Sequence, residues 1–312
     1  MILIEDNFKK YLKNNTYVAL GSFDGLHMGH MKLIDKTIKL AKKNNAKSMV
    51  FTFKNHPRMV INKELAPRII MDNPSKIRIL QSAGLDIVNM ASFDKDFMKI
   101  TPEEFIVNLV EHYNVKGIVV GFNYRFGYKN LGDLSLLKKM SRKYNYLLQI
   151  VDPVKLKGQV VSSSTIRNVI SEEGNMKKAR KMLTRPFMVG GNIIRGKQLG
   201  RKLGFPTVNL NYDKRFILPR GGVYYTIVYY KNKPYKGITN VGYNPTVEDN
   251  RLSVETNILN FHENIYNQYV SIFFIDRIRD EKKFDSLDEL ADQLKKDKMY
   301  ASKQKLQINF KI

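Results

Sequence analysis

The sequence predicts two parts: an α/β half built on a Rossmann-like parallel sheet, then a small antiparallel β-barrel with a closing helix. Three observations carry this. Apolar runs alternate with amphipathic helical patterns up to about residue 183. Beyond Leu183 the helical signal thins, and short alternating runs with Gly-rich turns take over. A length of 312 residues is also enough for about two domains, each with its own core. Alternating strand and helix signals argue for a parallel sheet covered on both faces, and short strands punctuated by turns argue for a barrel.

In the first half, Tyr17-Val18-Ala19-Leu20 reads as a buried strand, and Leu33, Ile34, Ile38 and Ala41 mark one face of a helix. Between them lies Gly21-Ser22-Phe23-Asp24-Gly25-Leu26-His27-Met28-Gly29-His30. A strand-to-helix turn is where an α/β sheet holds phosphates, because helix N–H groups and the helix dipole attract anions and glycines let the backbone come close. Imidazoles there can donate hydrogen bonds as charge shifts on phosphate oxygens. The plain alternatives are two packed or surface histidines, or a metal pair. Metal-binding histidines on a helix more often sit four apart, and few carboxylates and no Cys lie nearby.

Further strands are predicted at Met49–Phe53, Ile87–Met90, Ile118–Val120 and Leu147–Val151. Thr101-Pro102-Glu103-Glu104 supplies an N-cap, a proline at N1 and a glutamate at N3 for a helix carrying Phe105, Ile106, Leu109 and Val110. Ligands in such sheets bind at the carboxyl ends of strands, so further motifs are expected just after the apolar runs. His56-Pro57-Arg58 follows the second run and Gly121-Phe122-Asn123-Tyr124-Arg125-Phe126-Gly127 the fourth. Ser162-Ser163-Ser164-Thr165-Ile166-Arg167 follows the last and opens a short helix ending near Gly174. Read plainly, these are a Pro-defined turn with a solvated Arg, a loop and a helix N-cap. With Arg at this spacing, the Ser/Thr cluster also offers hydroxyls, free N–H groups and a forked guanidinium to one polyphosphate.

In the second half, strands are predicted at Phe187–Val189, Val223–Tyr230, Leu252–Ile258 and Tyr269–Phe274. A closing helix is predicted from Ser286, with Glu289 completing a capping box and Leu287, Leu290 and Leu294 on one face. Gly191 to Gln198 nearly matches a phosphate-binding P-loop, but Gln198 replaces the Mg-binding Ser/Thr and no long helical pattern follows. The longer run from Gly196 to Asn209 contains Gly196, Gly200, Arg201, Gly204, Pro206, Thr207 and Asn209. Glu255 puts a carboxylate into a strand of otherwise apolar and neutral residues, where its plain reading is an ordinary solvent-facing side chain.

The absence of cysteine excludes disulfides, thiolate metal sites and Cys nucleophiles. Met1 to Asp6 meets acids too early for a signal peptide, and no apolar run approaches a membrane span, so a cytoplasmic protein with no membrane partner is expected. The net charge of +24 raises nucleic-acid binding. The lysines are scattered, often on polar helix faces, and Lys, Asn, Ile and Tyr all have A/T-rich codons, which favours compositional bias. No nucleic-acid partner is expected. The positive field would still help collect phosphorylated ligands.

The Gly21–His30 and Ser163–Arg167 segments resemble the G-x-F-D-G-x-H-x-G-H and S-S-T-x-I-R motifs of nucleotidyltransferases in the form used by bacterial FAD synthetases. The Gly196–Asn209 run, Pro219–Tyr224 and Gly237–Thr246 resemble riboflavin kinase, whose P-T-A-N core here carries Val208. Over nearly the whole chain the sequence is similar to the bacterial bifunctional riboflavin kinase/FMN adenylyltransferase family. The resemblance implies adenylyl transfer by residues 1–183 and riboflavin phosphorylation by residues 184–312. It implies an ATP site for the first reaction at Gly21, Phe23, Asp24, Gly25, His27, Gly29, His30, Ser163, Ser164, Thr165 and Arg167, with His27, His30 and Arg167 catalytic. Flavin-side candidates are His56, Pro57, Arg58, Asn123, Tyr124, Arg125 and Phe126. The kinase ATP site is implied at Gly196, Gly200, Arg201, Gly204, Pro206, Thr207 and Asn209, with Mg²⁺ on Thr207 and Asn209 and Glu255 as base. Riboflavin, FMN and FAD would be substrates or products, not prosthetic groups.

Asn123 and Tyr124 stand where the family usually has Asp and Phe, and Asn257 where it often has His. A kinase with an impaired adenylyltransferase half is therefore the alternative, with a nucleic-acid-binding protein on the same scaffold a further one. The sequence leaves the oligomeric state open.

Overall fold

Residues 1–195, 204–243 and 252–306 are described in a computed structural model. They form two units, one from residues 1–67 with 72–162, the other from 68–71 with 163 onward. The first unit holds strands β1 (Ile2–Ile4), β2 (Thr16–Leu20), β3 (Lys47–Phe53), β4 (Ile87–Ala91), β5 (Val115–Gly121) and β6 (Leu147–Val151). Their order is β1-β4-β3-β2-β5-β6, and every pairing is parallel. The helices are α1 (Met28–Lys43), α2 (Arg58–Ile61), α3 (Asn73–Ser82), α4 (Pro102–Tyr113) and α5 (Leu134–Tyr144).

Every residue of β2 and β4 is buried, as expected of strands covered on both faces. β1 has no counterpart in the sequence reading. It is three residues long, at the sheet edge, with Ile2 and Leu3 exposed, and so shows no periodicity. The capping box of α4 forms in full: Thr101 Oγ1 accepts from the Glu104 N–H at 3.2 Å, and the Glu104 carboxylate accepts from the Thr101 N–H at 2.8 Å. The helix then buries Phe105, Ile106 and Leu109 against the sheet, where Phe8 stacks on Phe51 and Phe105 meets Phe51 edge-on.

The Ser163 segment does not follow β6 directly. A hairpin of β7 (Lys155–Leu156) and β8 (Gln159–Val160) intervenes. Lys157 and Gly158 turn it with φ of +49° and +83°, the left-handed pair that a tight two-residue hairpin demands.

The second unit begins with α6 (Ser163–Ser171) and α7 (Met176–Leu183). Strands β9 (Phe187–Ile194), β10 (Val208–Tyr212), β11 (Gly222–Tyr230), β12 (Lys233–Tyr243), β13 (Leu252–Ile258) and β14 (Tyr269–Arg279) follow, then α8 (Leu287–Lys303). The strands close a barrel in the order β10-β13-β12-β11-β14-β9, all antiparallel. Gly191–Ile194 lies within β9, so the near-P-loop begins as barrel strand. β10 and β12 escape the sequence reading because Asn, Lys and Gly dilute their apolar positions; barrel closure supplies their partners. Inside the barrel three fully buried hydroxyls form a chain, Thr226 to Thr239 at 2.8 Å and Thr239 to Thr256 at 2.9 Å.

Two expectations for α8 need correction. Ser286 Oγ accepts from the Glu289 N–H at 3.2 Å, but the Glu289 carboxylate accepts from the N–H of Asp285 at 3.4 Å, so the box is offset by one residue. Leu287 is 68% exposed, so only Leu290 and Leu294 of the predicted leucine face are half-buried. Ala301 is fully buried in an apolar cluster, and Asp297, 1% exposed, adds a polar anchor through Arg279, whose guanidinium donates to both carboxylate oxygens at 2.8–3.1 Å; Gln293 donates to the same carboxylate at 2.9 Å. Removing one partner of such a pair leaves a buried charge uncompensated.

Candidate functional site

In the first unit, strand order fixes where a ligand can enter. From β2 the chain moves through β3 to β4 on one side, then returns to place β5 and β6 on the other. The reversal opens a crevice at the carboxyl ends of β2 and β5, the usual ligand position in an open α/β sheet. The Gly21–His27 turn leaves β2 at that edge. Phe23, Gly25 and Leu26 have φ of +49°, +82° and +40°. Left-handed backbone costs a non-glycine residue about 1–2 kcal/mol, offset here by complete burial of Phe23 and Leu26.

His27 caps α1, its Nδ1 accepting from the His30 N–H at 3.4 Å. A neutral His27 in that role carries its proton on Nε2, which is therefore a donor. The two imidazoles stack with centroids 3.6 Å apart, and Phe23 meets the His30 ring edge-on at 5.1 Å. A Cβ on Gly29 would lie 3.1 Å from the His27 ring, tight enough that the ring would have to shift by a few tenths of an ångström. The result is a sixteen-residue helix whose N-terminus is lined by two imidazoles, an arrangement suited to a polyanion.

The flanking strands deliver their motifs to the same edge. After β3, the Arg58 N–H donates to His56 Nδ1 at 3.2 Å, and the Arg58 side chain is exposed. After β5 the side chains alternate. Asn123 and Arg125 are exposed, Arg125 lying 3.6 Å from Asp133. Tyr124 stacks on Phe126, and Phe126 is buried against Phe105. Sequence reasoning missed Lys76 on α3, which is 5% exposed and beside Asp24, itself 6% exposed. Burial pushes its ammonium down to about 8, with Asp24 opposing the shift. Its signal was helical spacing, for Lys76 shares a buried face with Leu80 one turn on.

The second unit contains Ser163, Ser164 and Thr165 in the first turn of α6. Arg167 is held by its Nε donating to the Arg68 carbonyl at 2.7 Å. Residues 68–71 are themselves bound here, the Ile69 N–H donating to the Arg215 carbonyl and the Ile217 N–H to the Ile69 carbonyl.

On the barrel, Val254, Thr256 and Ile258 of β13 are buried while Ser253, Glu255 and Asn257 are half-buried, so Glu255 lies on the opposite face from the hydroxyl chain. Asn209 on β10 is directly opposite Glu255, and so is Asn240 on β12. Directly opposed residues share a face, so the carboxylate stands between two amides, with Thr207 two residues before Asn209 in the chain. Asn257, at the position departing from the family, donates from Nδ2 to the Pro206 carbonyl at 2.7 Å and so ties β13 to the Pro206–Asn209 segment. Gly204 has φ of +75°. Gly196, Gly200 and Arg201, and Asn244 to Thr246, lie outside the described residues.

Among the described residues no helix is long and apolar enough to cross a membrane. A family model described as FAD synthetase matches residues 9–165, and one described as riboflavin kinase matches residues 183–305. The chain is 35% identical over 296 residues to a bifunctional riboflavin kinase/FMN adenylyltransferase of Buchnera aphidicola subsp. Schizaphis graminum, covering 93% of this chain and 94% of that one. It is 31% identical to the protein of the same name from Escherichia coli (strain K12), covering 95% and 94%. A solved structure described as a macrolide-efflux protein from Streptococcus pneumoniae matches with a TM-score of 0.87 and 32% identity, over 98% of this chain and all of that one. The chain belongs to the bifunctional riboflavin kinase/FMN adenylyltransferase family, which makes FAD in two ATP-dependent steps, riboflavin to FMN and FMN to FAD.

Proposed function

We propose that the two steps use separate residue sets, adenylyl transfer within residues 1–183 and phosphorylation within residues 184–312. In the kinase step the riboflavin 5′-hydroxyl oxygen attacks the γ-phosphorus of ATP, the bond to ADP breaks, and Glu255 accepts the hydroxyl proton. The donor set fits a magnesium ion that arrives with ATP. Thr207 and Asn209 offer hard oxygens, and Asn209 lies directly opposite the Glu255 carboxylate. Thr207 and Asn209 would hold the ion, which when bound offsets phosphate charge. Asn257 keeps the Pro206–Asn209 segment in place.

In the second step an FMN phosphate oxygen attacks the α-phosphorus of another ATP and pyrophosphate leaves. The attacking phosphate is already anionic near neutral pH, so positioning and charge stabilisation dominate over proton removal. His27 and His30 donate to the phosphates, and Arg167 with Ser163, Ser164 and Thr165 supplies the role their motif implies. His56, Pro57, Arg58, Asn123 and Arg125 are flavin-side candidates, with Tyr124 and Phe126 supporting the loop that carries them. The protein works in the cytoplasm, with small molecules and not nucleic acid as partners.

The observation that carries this reading is the stacked His27–His30 pair at the crevice where the strand order reverses. Chromatographic separation of flavins after incubation with ATP, Mg²⁺ and either riboflavin or FMN tests it. His30→Ala should lose FAD formation and keep FMN formation. Undiminished FAD formation by that variant would remove the pair from the mechanism.

A further inference from the structure

We propose that Lys76 is a positioning residue for adenylyl transfer, its buried ammonium fixing the Ser22–Asp24 segment of the phosphate-facing turn. Lys76 Nζ donates to the Ser22 carbonyl at 3.0 Å, and Thr52 Oγ1 from the end of β3 donates to the same oxygen at 2.9 Å. That carbonyl immediately precedes Phe23, the first left-handed residue of the turn. The Asp24 carboxylate lies near enough to act on the ammonium, and both side chains are almost entirely out of water.

A charged lysine is almost never this buried without a partner, and an apolar side chain would fill the space beside Leu80 at far lower desolvation cost. What an apolar residue cannot do is donate to the Ser22 carbonyl while its charge acts on the Asp24 carboxylate beyond the left-handed Phe23. At 5% exposure Lys76 is also shielded from substrate, so it acts through the turn that carries His27. A turn misplaced by even an ångström would displace the helix cap and the imidazoles aligned with it.

The proposal rests on assigning the Gly21–His30 turn to ATP. The chain contains no cysteine, which allows a direct test. In Lys76→Cys the single thiol can be alkylated with 2-bromoethylamine in the unfolded chain, restoring an ammonium at nearly the length of lysine after refolding. Native protein carried through the same treatment is the reference. Lys76→Cys and Lys76→Met should lower kcat for FMN-to-FAD conversion about 10- to 100-fold, with riboflavin phosphorylation unchanged. Aminoethylation should then return most of the lost rate.

Native FAD formation by Lys76→Met would overturn the proposal. So would a loss that aminoethylation leaves in place, or one that falls equally on both reactions. His30→Ala measured alongside separates the two claims. If it still makes FAD, the assignment of the turn fails. If it is inactive while Lys76→Met is not, only the role of Lys76 fails.

Discussion

The two units differ in how they assemble the residues proposed to act on a nucleotide. In the parallel sheet, Gly21 to His30 are consecutive, and one turn with one helix N-terminus brings them together. In the barrel, Asn209, Glu255 and Asn240 come from three strands and meet only through register. Local backbone geometry therefore governs the first site, and the pairing of the whole barrel governs the second. A substitution in the turn should act on one reaction through a local shift, whereas the barrel site should depend on whatever holds the strands and α8 in place.

The largest effect that would test this contrast is at Glu255. Glu255→Ala should slow FMN formation by about 10²- to 10⁴-fold, the usual worth of a positioned general base, while FMN-to-FAD conversion proceeds normally. His30→Ala should give the mirror image, a loss of about 10²- to 10³-fold confined to FAD formation. Next comes stability: Asp297→Ala strands Arg279 and should destabilise the barrel unit by about 3–5 kcal/mol, read as a lower denaturant midpoint. Loss of kinase activity should follow that unfolding, and an unshifted midpoint would mean that α8 is held by other contacts. The smallest effect is at Asn257. Asn257→Ala removes one hydrogen bond from the Pro206–Asn209 segment and should raise the KM for ATP in the kinase step roughly fivefold, corresponding to about 1 kcal/mol.

The same contrast explains what the sequence disclosed. Strands β2 to β5 were legible because a sheet covered on both faces needs continuous apolar runs, and the edge strand β6 because Leu147–Val151 still carries one. The cap of α4 was legible because Thr101, Pro102 and Glu104 each satisfy a local requirement. The Gly21–His30 turn was legible for the same local reason. Strands β10 and β12 were not, since their polar residues are tolerated only because neighbours in the closed barrel complete their hydrogen bonding. Leu287 misled because three leucines at helical spacing look like one buried face, whereas Leu287 is exposed and the fully buried positions of the helix are Asp297 and Ala301. Lys76 stayed hidden because a lysine on a helix is ordinarily a solvated residue; only the tertiary placement of Ser22 and Asp24 gives it partners. Asn257 looked like the loss of a family histidine, yet it contacts the segment proposed to hold ATP.

The central claim is that two separable sites act in one chain. The most direct test supplies the native enzyme, His30→Ala and Glu255→Ala with ATP and Mg²⁺, and separates the flavins over time. Native enzyme given riboflavin should form FMN and then FAD. His30→Ala should stop at FMN. Glu255→Ala should leave riboflavin unchanged yet convert supplied FMN to FAD. Loss of both reactions from either substitution in folded protein, or FAD from riboflavin in His30→Ala at the native rate, would contradict the account.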